Sequence, residues 1–249
     1  MIAFLKSIYH VVLFQPLLNL LALFAYIAPG NDMGVAIILL TILIRLILYP
    51  LSRKSLKSQK ALQELQPKIN EIRNKNKDDK EKQSQELMKF YQENKINPMS
   101  SCLPMLIQLP IIFALYRVFQ AGMQNENLQF LYSFVPHPAT INPTFFGLLD
   151  LSTPNLIMAI IAGALQFVQS KMLMDSKKKD GNQQSQKGMA GMMTKQMVYF
   201  MPLFTVFIAM SLPSGLALYW AVSTLFSIGQ QYLIMRKDDK VLPGDVKVK

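Results

Sequence analysis

The chain is poor in the residues from which most active sites are made. It has one cysteine, two histidines and one tryptophan among 249 residues. A single cysteine, Cys102, excludes an intramolecular disulfide framework and a Cys-cluster metal site, and it reads as a small buried residue. His10 and His137 are far apart and have no ligand-spaced partners, so neither supports a metal site or a triad. Charge is scarce too, at 16% of residues. None of it is acidic inside the long apolar runs, so the chain lacks the intramembrane carboxylates that proton and cation pumps use as carriers. There is no GxxxxGK[ST] loop for a nucleotide. There is no Ser–His or Asp–Asp arrangement that would activate a nucleophile. No metal, no cofactor and no enzyme chemistry are expected. Residues 1–28 lack a clean cleavage motif or lipobox cysteine, which argues against a signal peptide.

What the chain has in abundance is apolar sequence, 51% of residues. It is gathered into runs at 11–28, 34–51, 102–120, 154–170, 196–212 and 215–235, several of them long enough for a spanning helix. The basic residues lie between these runs. Residues 53–95 carry twelve Lys/Arg, 171–195 six, and the tail from Arg236 five, whereas 121–153 carry none. The net charge of +11 is therefore a topology signal rather than a DNA-binding patch, because Lys/Arg-rich loops stay cytoplasmic. The pattern predicts five spans, at about 34–51, 102–120, 154–172, 196–212 and 215–235, with the N-terminus outside and the C-terminus cytoplasmic. The run 11–28 is interrupted by Gln15, Pro16 and Asn19. It reads as an interfacial helix on the outer face, within residues 1–30, rather than a sixth span.

Between the first two spans, "SRKSLKSQKALQELQPKINEIR", the polar tip "NKNKDDK" and "EKQSQELMKFYQEN" predict a cytoplasmic helical hairpin over 53–96. Its twelve bases against seven acids suit an anionic lipid surface or ribosomal RNA. The short tail, 237–249, is mixed in charge.

The most informative short stretch is "LTILIRLILYP" (40–50). Arg45 lies in membrane-grade sequence with no acid to pair it, at a cost of about 2.5–3.5 kcal/mol by insertion scales. Snorkelling toward the cytoplasm is disfavoured, because helical side chains lean toward the helix N-terminus, which here faces outside. Thr41 is one turn away on the same face. Gln108 lies in the second span, and Gln166, Gln169 and Ser170 share a face of the third. Trp220, Ser223, Thr224, Ser227, Gln230 and Gln231 form a stripe on the fifth. Four spans polar in their cytoplasmic halves predict a wet groove open to the cytoplasm and closed toward the outside. Arg45 is its clear cation, a receptor for something transiently negative such as acidic residues of a passing polypeptide. Short spans would also thin the bilayer locally.

The stretches "GVAIILLTILIRLILYPL", "NPMSSCLPMLIQLPIIFALYRV" and "MPLFTVFIAMSLPSGLALYWAVSTLFSIGQQYLI", in that order with the basic hairpin between the first two, resemble the YidC family of membrane protein insertases, in the wider YidC/Oxa/Alb group. The resemblance covers about residues 10–236. It implies an all-α polytopic protein of a bacterial cell membrane, with five spans around a hydrophilic groove. It makes Arg45 the groove arginine with Thr41 beside it, and Gln108, Gln169 and Trp220 further positions that line the groove or meet clients. It implies nascent membrane proteins as clients, with the ribosome and the Sec translocon as partners. Against the family pattern, residues 29–34 leave no room for the large extracytoplasmic domain of Gram-negative members, and the tail is not the long basic one of some members. Sixteen methionines, several in "KGMAGMMTKQMVYFM", suit surfaces that accept varied apolar partners. The competing reading is a small-solute or anion transporter with Arg45 as its anion site, which needs a continuous polar path that the outer halves of the spans do not offer.

Overall fold

The structure, a computed structural model, describes residues 7–94, 96, 97, 99, 103–124, 130–136, 141–175 and 189–237. Cys102, His137, the basic segment 176–188 and the tail from 238 lie outside these residues, as do the side chains of the methionine-rich stretch through 197. The described chain is mostly helical. Its helices are α1 (Ser7–Ile27), α2 (Met33–Ile47), α3 (Tyr49–Glu64), α4 (Gln66–Lys75), α5 (Lys80–Glu93), α6 (Leu103–Gln124), α7 (Leu156–Asp175), α8 (Met189–Ala209) and α9 (Ser214–Lys237). The strands among the described residues are β1 (Thr144–Phe145) and β2 (Leu149–Asp150), an antiparallel pair.

By length and composition, α1 and Leu156–Leu173 are apolar enough to cross a membrane, and Met33–Ile47 followed by Tyr49–Leu62 pass that test as a pair. Leu106–Gly122 and Val198–Ala209 are shorter apolar helices. The outward faces of α6, α7 and α8 carry Phe113, Ile157, Leu203 and Phe207, all exposed, large apolar side chains turned away from the core. Helix α2 has 15 residues, about 22 Å of rise against a hydrocarbon core of about 30 Å.

Pro16 does not interrupt α1. The chain takes one wide turn over His10–Phe14, where Gln15 N–H donates to His10 O. That turn places Pro16 at the start of the following α-helical stretch, where its missing N–H is no loss. Gln15 and Asn19, the other two residues that break the apolar run, receive the loop after α6. Asn19 is buried; its Nδ2 donates to Phe130 O at 3.1 Å and its Oδ1 accepts from Tyr132 N at 2.6 Å. Gln15 Nε2 donates to the same carbonyl at 3.3 Å.

The described residues form two compact units, one drawn from Met1–Ile47, Ile107–Gln166 and Pro202–Phe226, the other from Leu48–Leu106, Phe167–Met201 and Ser227–Lys249. The core of the first unit is Met33, Ala36, Ile37 and Leu40 of α2, Leu115, Val118 and Phe119 of α6, Leu216 and Ala217 of α9, and Leu151, all buried. At this end the hairpin β1–β2 ties helix starts together. Asp32 accepts from Val35 N at 3.0 Å as the cap of α2 and from Phe146 N at 2.6 Å. Ser214 Oγ donates to Asp150 O at 2.8 Å, and Gly215 N donates to Leu151 O at 3.0 Å. A Cβ on Gly215 would meet Ile37, Leu151 and Phe119, so glycine lets three elements converge there. On α7, Gly163 faces Val206 and the carbonyl of Pro202, and a Cβ there would collide with Val206.

The second unit contains the polar hairpin. Its first arm is two helices rather than one, because Pro67 lacks the N–H to continue the ladder, and the chain breaks at Leu65. The tip closes through Asn76, whose Nδ2 donates to Ile72 O at 3.1 Å and to Glu86 at 2.6 Å. Asp79 caps α5 by accepting from Lys82 N at 2.9 Å. In this unit Gln230 Nε2 also donates to Tyr49 O at 3.3 Å.

Candidate functional site

Three helices of the first unit change character over the same short distance. On α2 the buried apolar row Ile37–Leu40 gives way to Thr41 and Arg45. On α6, Leu115 gives way to Gln108, and on α9 Leu216 gives way to Tyr219 and Ser223. Seven residues separate Gln108 from Leu115, and Leu216 from Ser223, which is about 10 Å of helix. One end of the unit is thus packed with hydrocarbon and tied by the β-hairpin, and the polar side chains gather away from it.

Two hydrogen bonds organise that polar level. Arg45 is half-buried, and its Nε donates to Ser223 Oγ at 2.6 Å while its Nη2 donates to the same oxygen. Gln108 Nε2 donates to the hydroxyl of Tyr219 at 2.6 Å. Tyr219 and Ser223 are four residues apart, so they share one row of α9, and that row holds α2 through one bond and α6 through the other. Thr41 is fully buried and its hydroxyl donates to Ile37 O at 2.6 Å; its polar capacity is spent on its own helix. Trp220 is half-buried beside Tyr219.

Arg45 has no carboxylate within ion-pair distance among the described residues; Lys89 and Glu93 form an ion pair in the hairpin. A neutral hydroxyl orients the guanidinium without neutralising it. Ser223 takes up two of the five N–H donors of an arginine.

Of the residues singled out in the sequence, Arg45, Ser223 and Gln108 meet through α9. Gln169 and Ser227 fall in the second unit, both half-buried. Gln166, which shares a face with Gln169, is drawn to α8, where its Oε1 accepts from buried Thr205 at 2.6 Å, an interhelical clamp one turn from the close approach at Gly163. Tyr219 was missed by the sequence reasoning, although it lies one turn before Ser223. Arg117 was passed over as well. It stands exposed on α6, 5.9 Å over the ring of Tyr9, and its signal, a cation inside an apolar run, is the one that flags Arg45.

Comparison with known proteins places this architecture. Residues 24–241 match the model of the family described as 60Kd inner membrane protein. A curated relative from Syntrophus aciditrophicus, named membrane protein insertase YidC, is 38% identical over 223 residues, covering 89% of this chain and 36% of that protein. One of the same name from Fusobacterium nucleatum is 35% identical over 207 residues, 83% of this chain and 88% of its own length. A third, membrane protein insertase YidC 2 from Listeria innocua, is 38% identical over 209 residues, 82% of this chain and 64% of its own length. The chain thus spans little more than a third of the length of the Syntrophus relative.

Proposed function

The chain belongs to the 60Kd inner membrane protein family, and from that premise we propose that it is a membrane protein insertase whose working surface is the polar level built on Arg45, Ser223, Gln108 and Tyr219. The observation that carries the proposal is the way Arg45 is held. A permanent cation in apolar sequence, oriented by a serine hydroxyl and left without a carboxylate among the described residues, is suited to an anionic group that arrives and leaves. An acidic or polar flank of a nascent membrane protein is such a group.

In this reading no covalent step occurs. The five runs about 34–51, 102–120, 154–172, 196–212 and 215–235 are the spans. The polar level opens as a groove toward the cytoplasm, and the capped, apolar end faces outside. The client's polar flank enters the groove, where Arg45 offers its remaining donors and water fills the groove between clients. The hydrophobic segment then passes between helices into lipid, driven by its own transfer free energy of about 25 cal/mol per Å² of apolar surface. The shortness of α2 thins the barrier that the polar flank must cross. The helix α1 lies along the outer face, and the basic hairpin and tail are cytoplasmic, where ribosomes, the Sec translocon and anionic headgroups are available as partners.

Site-specific photocrosslinking tests the route. A photoreactive residue at Gln108 or Trp220 is expected to capture a ribosome-stalled single-span client, and the product is expected to fade as the client lengthens. A probe at Phe113, on the outward face of α6, serves as the control. Capture at the hairpin alone would show docking without a groove route. Arg45→Ala is expected to weaken insertion in a protein that remains folded, and normal insertion of several client types by that variant would remove Arg45 from the mechanism.

A further inference from the structure

The turn that joins β1 to β2 departs from two ordinary preferences at once. Phe146 and Gly147 both have positive φ, 50° and 70°, and Leu148 N donates to Phe145 O at 3.0 Å. This is the geometry of a type I′ turn, whose first central position favours Asn, Asp or Gly because a Cβ crowds the backbone there. A bulky aromatic is an outlier in that conformation. The same turn also exposes its apolar side chains: Phe146 is 70% and Leu148 91% exposed.

The turn is held firmly in this state. Asp32 accepts from Phe146 N at 2.6 Å. The preceding residue, Phe145, packs its ring over Gly34, where a Cβ would overlap it. One phenylalanine is therefore fixed inward and the next is fixed outward. Strain retained by surrounding bonds points to a use for the strained residue.

The position of the tip identifies what covers it. The hairpin is bonded to the starts of α2 and α9, so it stands at the level where two apolar helices begin. The chain runs from it directly into α7, whose first turns present Leu156, Ile157, Ile160 and Ile161 outward. The tip itself, Phe146–Leu148, is uncharged, and 121–153 contain no Lys or Arg to seek phosphate. We propose that Phe146 and Leu148 are a membrane anchor. They dip into the boundary between headgroups and acyl chains on the side where α2 and α9 begin, continuous with the lipid-facing surface of α7. An aromatic and an aliphatic side chain on a rigid turn suit that boundary. The anchor sets the depth of the capped end of the first unit. It rests on the reading of the chain as membrane-spanning and is independent of any client.

Depth-dependent fluorescence quenching tests it in the full chain reconstituted into liposomes. Trp220→Phe removes the one native tryptophan. Into that background go, separately, Leu148→Trp, Phe146→Trp, and Leu203→Trp on the outward face of α8 as a control for membrane burial. Leu148→Trp avoids the positive-φ position and covers the case in which Phe146→Trp disturbs the turn. Lipids brominated near the headgroup end of the acyl chains are expected to quench most of the emission at 148 and 146, and chain-end bromines are expected to quench it less. Full emission at 148 with free access to aqueous acrylamide, while the probe at 203 is quenched, would overturn the anchor and leave the spanning reading intact. Absence of quenching at all three positions would overturn both. Protection at 148 from bromolipid and acrylamide together would place a second copy of the chain over the tip, and the lipid anchor would fall.

Discussion

Ser223→Ala tests how Arg45 is held and, through the size of the effect, whether water reaches it. The substitution removes the oxygen that accepts from Nε at 2.6 Å and from Nη2, and alanine is well tolerated in a helix. A hydrogen bond to a charged group contributes about 1.5–3 kcal/mol in mutational series. What replaces the hydroxyl decides the outcome. If water enters, it satisfies both N–H groups, and the net loss falls to about 0.5–1 kcal/mol. If the site is dry, a guanidinium stripped of its acceptor is an uncompensated buried charge, worth about 3–5 kcal/mol. Arg45 is half-buried, and an open groove requires water, so the expected loss is about 1 kcal/mol, or roughly 2–4 °C in Tm for a chain of this size. Thermal unfolding in nanodiscs, completed by Arg45→Ala and the double variant, reads the coupling directly. A coupling near zero would mean that the bond does not form in the membrane. A coupling above about 3 kcal/mol would mean a dry, structural arginine and would refute the groove. Insertion provides the second readout. Ser223→Ala keeps the charge and loses its orientation, so its defect is expected to be milder than that of Arg45→Ala, and Ser223→Thr is expected to restore function.

Tyr219→Phe removes the acceptor of Gln108 Nε2 and is expected to lower stability by about 0.5–1.5 kcal/mol, with client crosslinking from a probe at position 220 becoming less specific; unchanged Tm and an unchanged crosslink pattern would show that the pair is incidental. Gly163→Ala gains helix propensity, but its Cβ collides with Val206 and lies 3.1 Å from Pro202 O, so a net loss of about 1–3 kcal/mol is expected, and Val206→Ala in the same chain should recover much of it; a stabilised single variant would disprove the close crossing. Asp32→Ala removes the cap of α2 and the bond to Phe146 N, together about 1–3 kcal/mol, and hydrogen exchange is expected to rise in both α2 and 144–150; a rise confined to α2 would show that the hairpin is held by other contacts.

The apolar runs could be read directly, because length and apolar composition mark them without any need for periodicity. Thus Met33–Ile47, Leu103–Gln124 and Ser214–Lys237 fall where the runs at 34–51, 102–120 and 215–235 lie. Arg45 was readable for the same reason, since a charge in such a run has no local explanation. The partners were less readable. Ser223 and Tyr219 lie 178 and 111 residues from Arg45 and Gln108, and nothing local in α9 says which of its polar residues would be chosen. Pro16 reads as a helix breaker because the usual rule assumes an i to i−4 ladder, which the wide turn at His10–Phe14 replaces. Asn19 reads as an interruption, although its amide is consumed by Phe130 and Tyr132, more than a hundred residues away. The turn at Phe146 was hidden because its sequence, Phe-Gly, is not the Asn-Gly that announces such a turn.

Among the described residues, the group that holds Arg45 is the neutral hydroxyl of Ser223, and that neutrality bears on the proposed mechanism. A carboxylate in place of Ser223 would hold the guanidinium through paired, charge-assisted bonds and relieve the strain of an unpaired cation in apolar sequence. Under the proposed function it would also remove the reason for an acidic client to bind, because the client would have to displace an ion of equal charge. Serine gives orientation without neutralisation, and the tyrosine one turn before it holds the glutamine of α6 in the same way. A site meant for stability alone would be expected to pair the charge. One meant for transient binding leaves the charge oriented and unneutralised, accepting about 2.5–3.5 kcal/mol of insertion penalty that water, and then the client, relieve in turn.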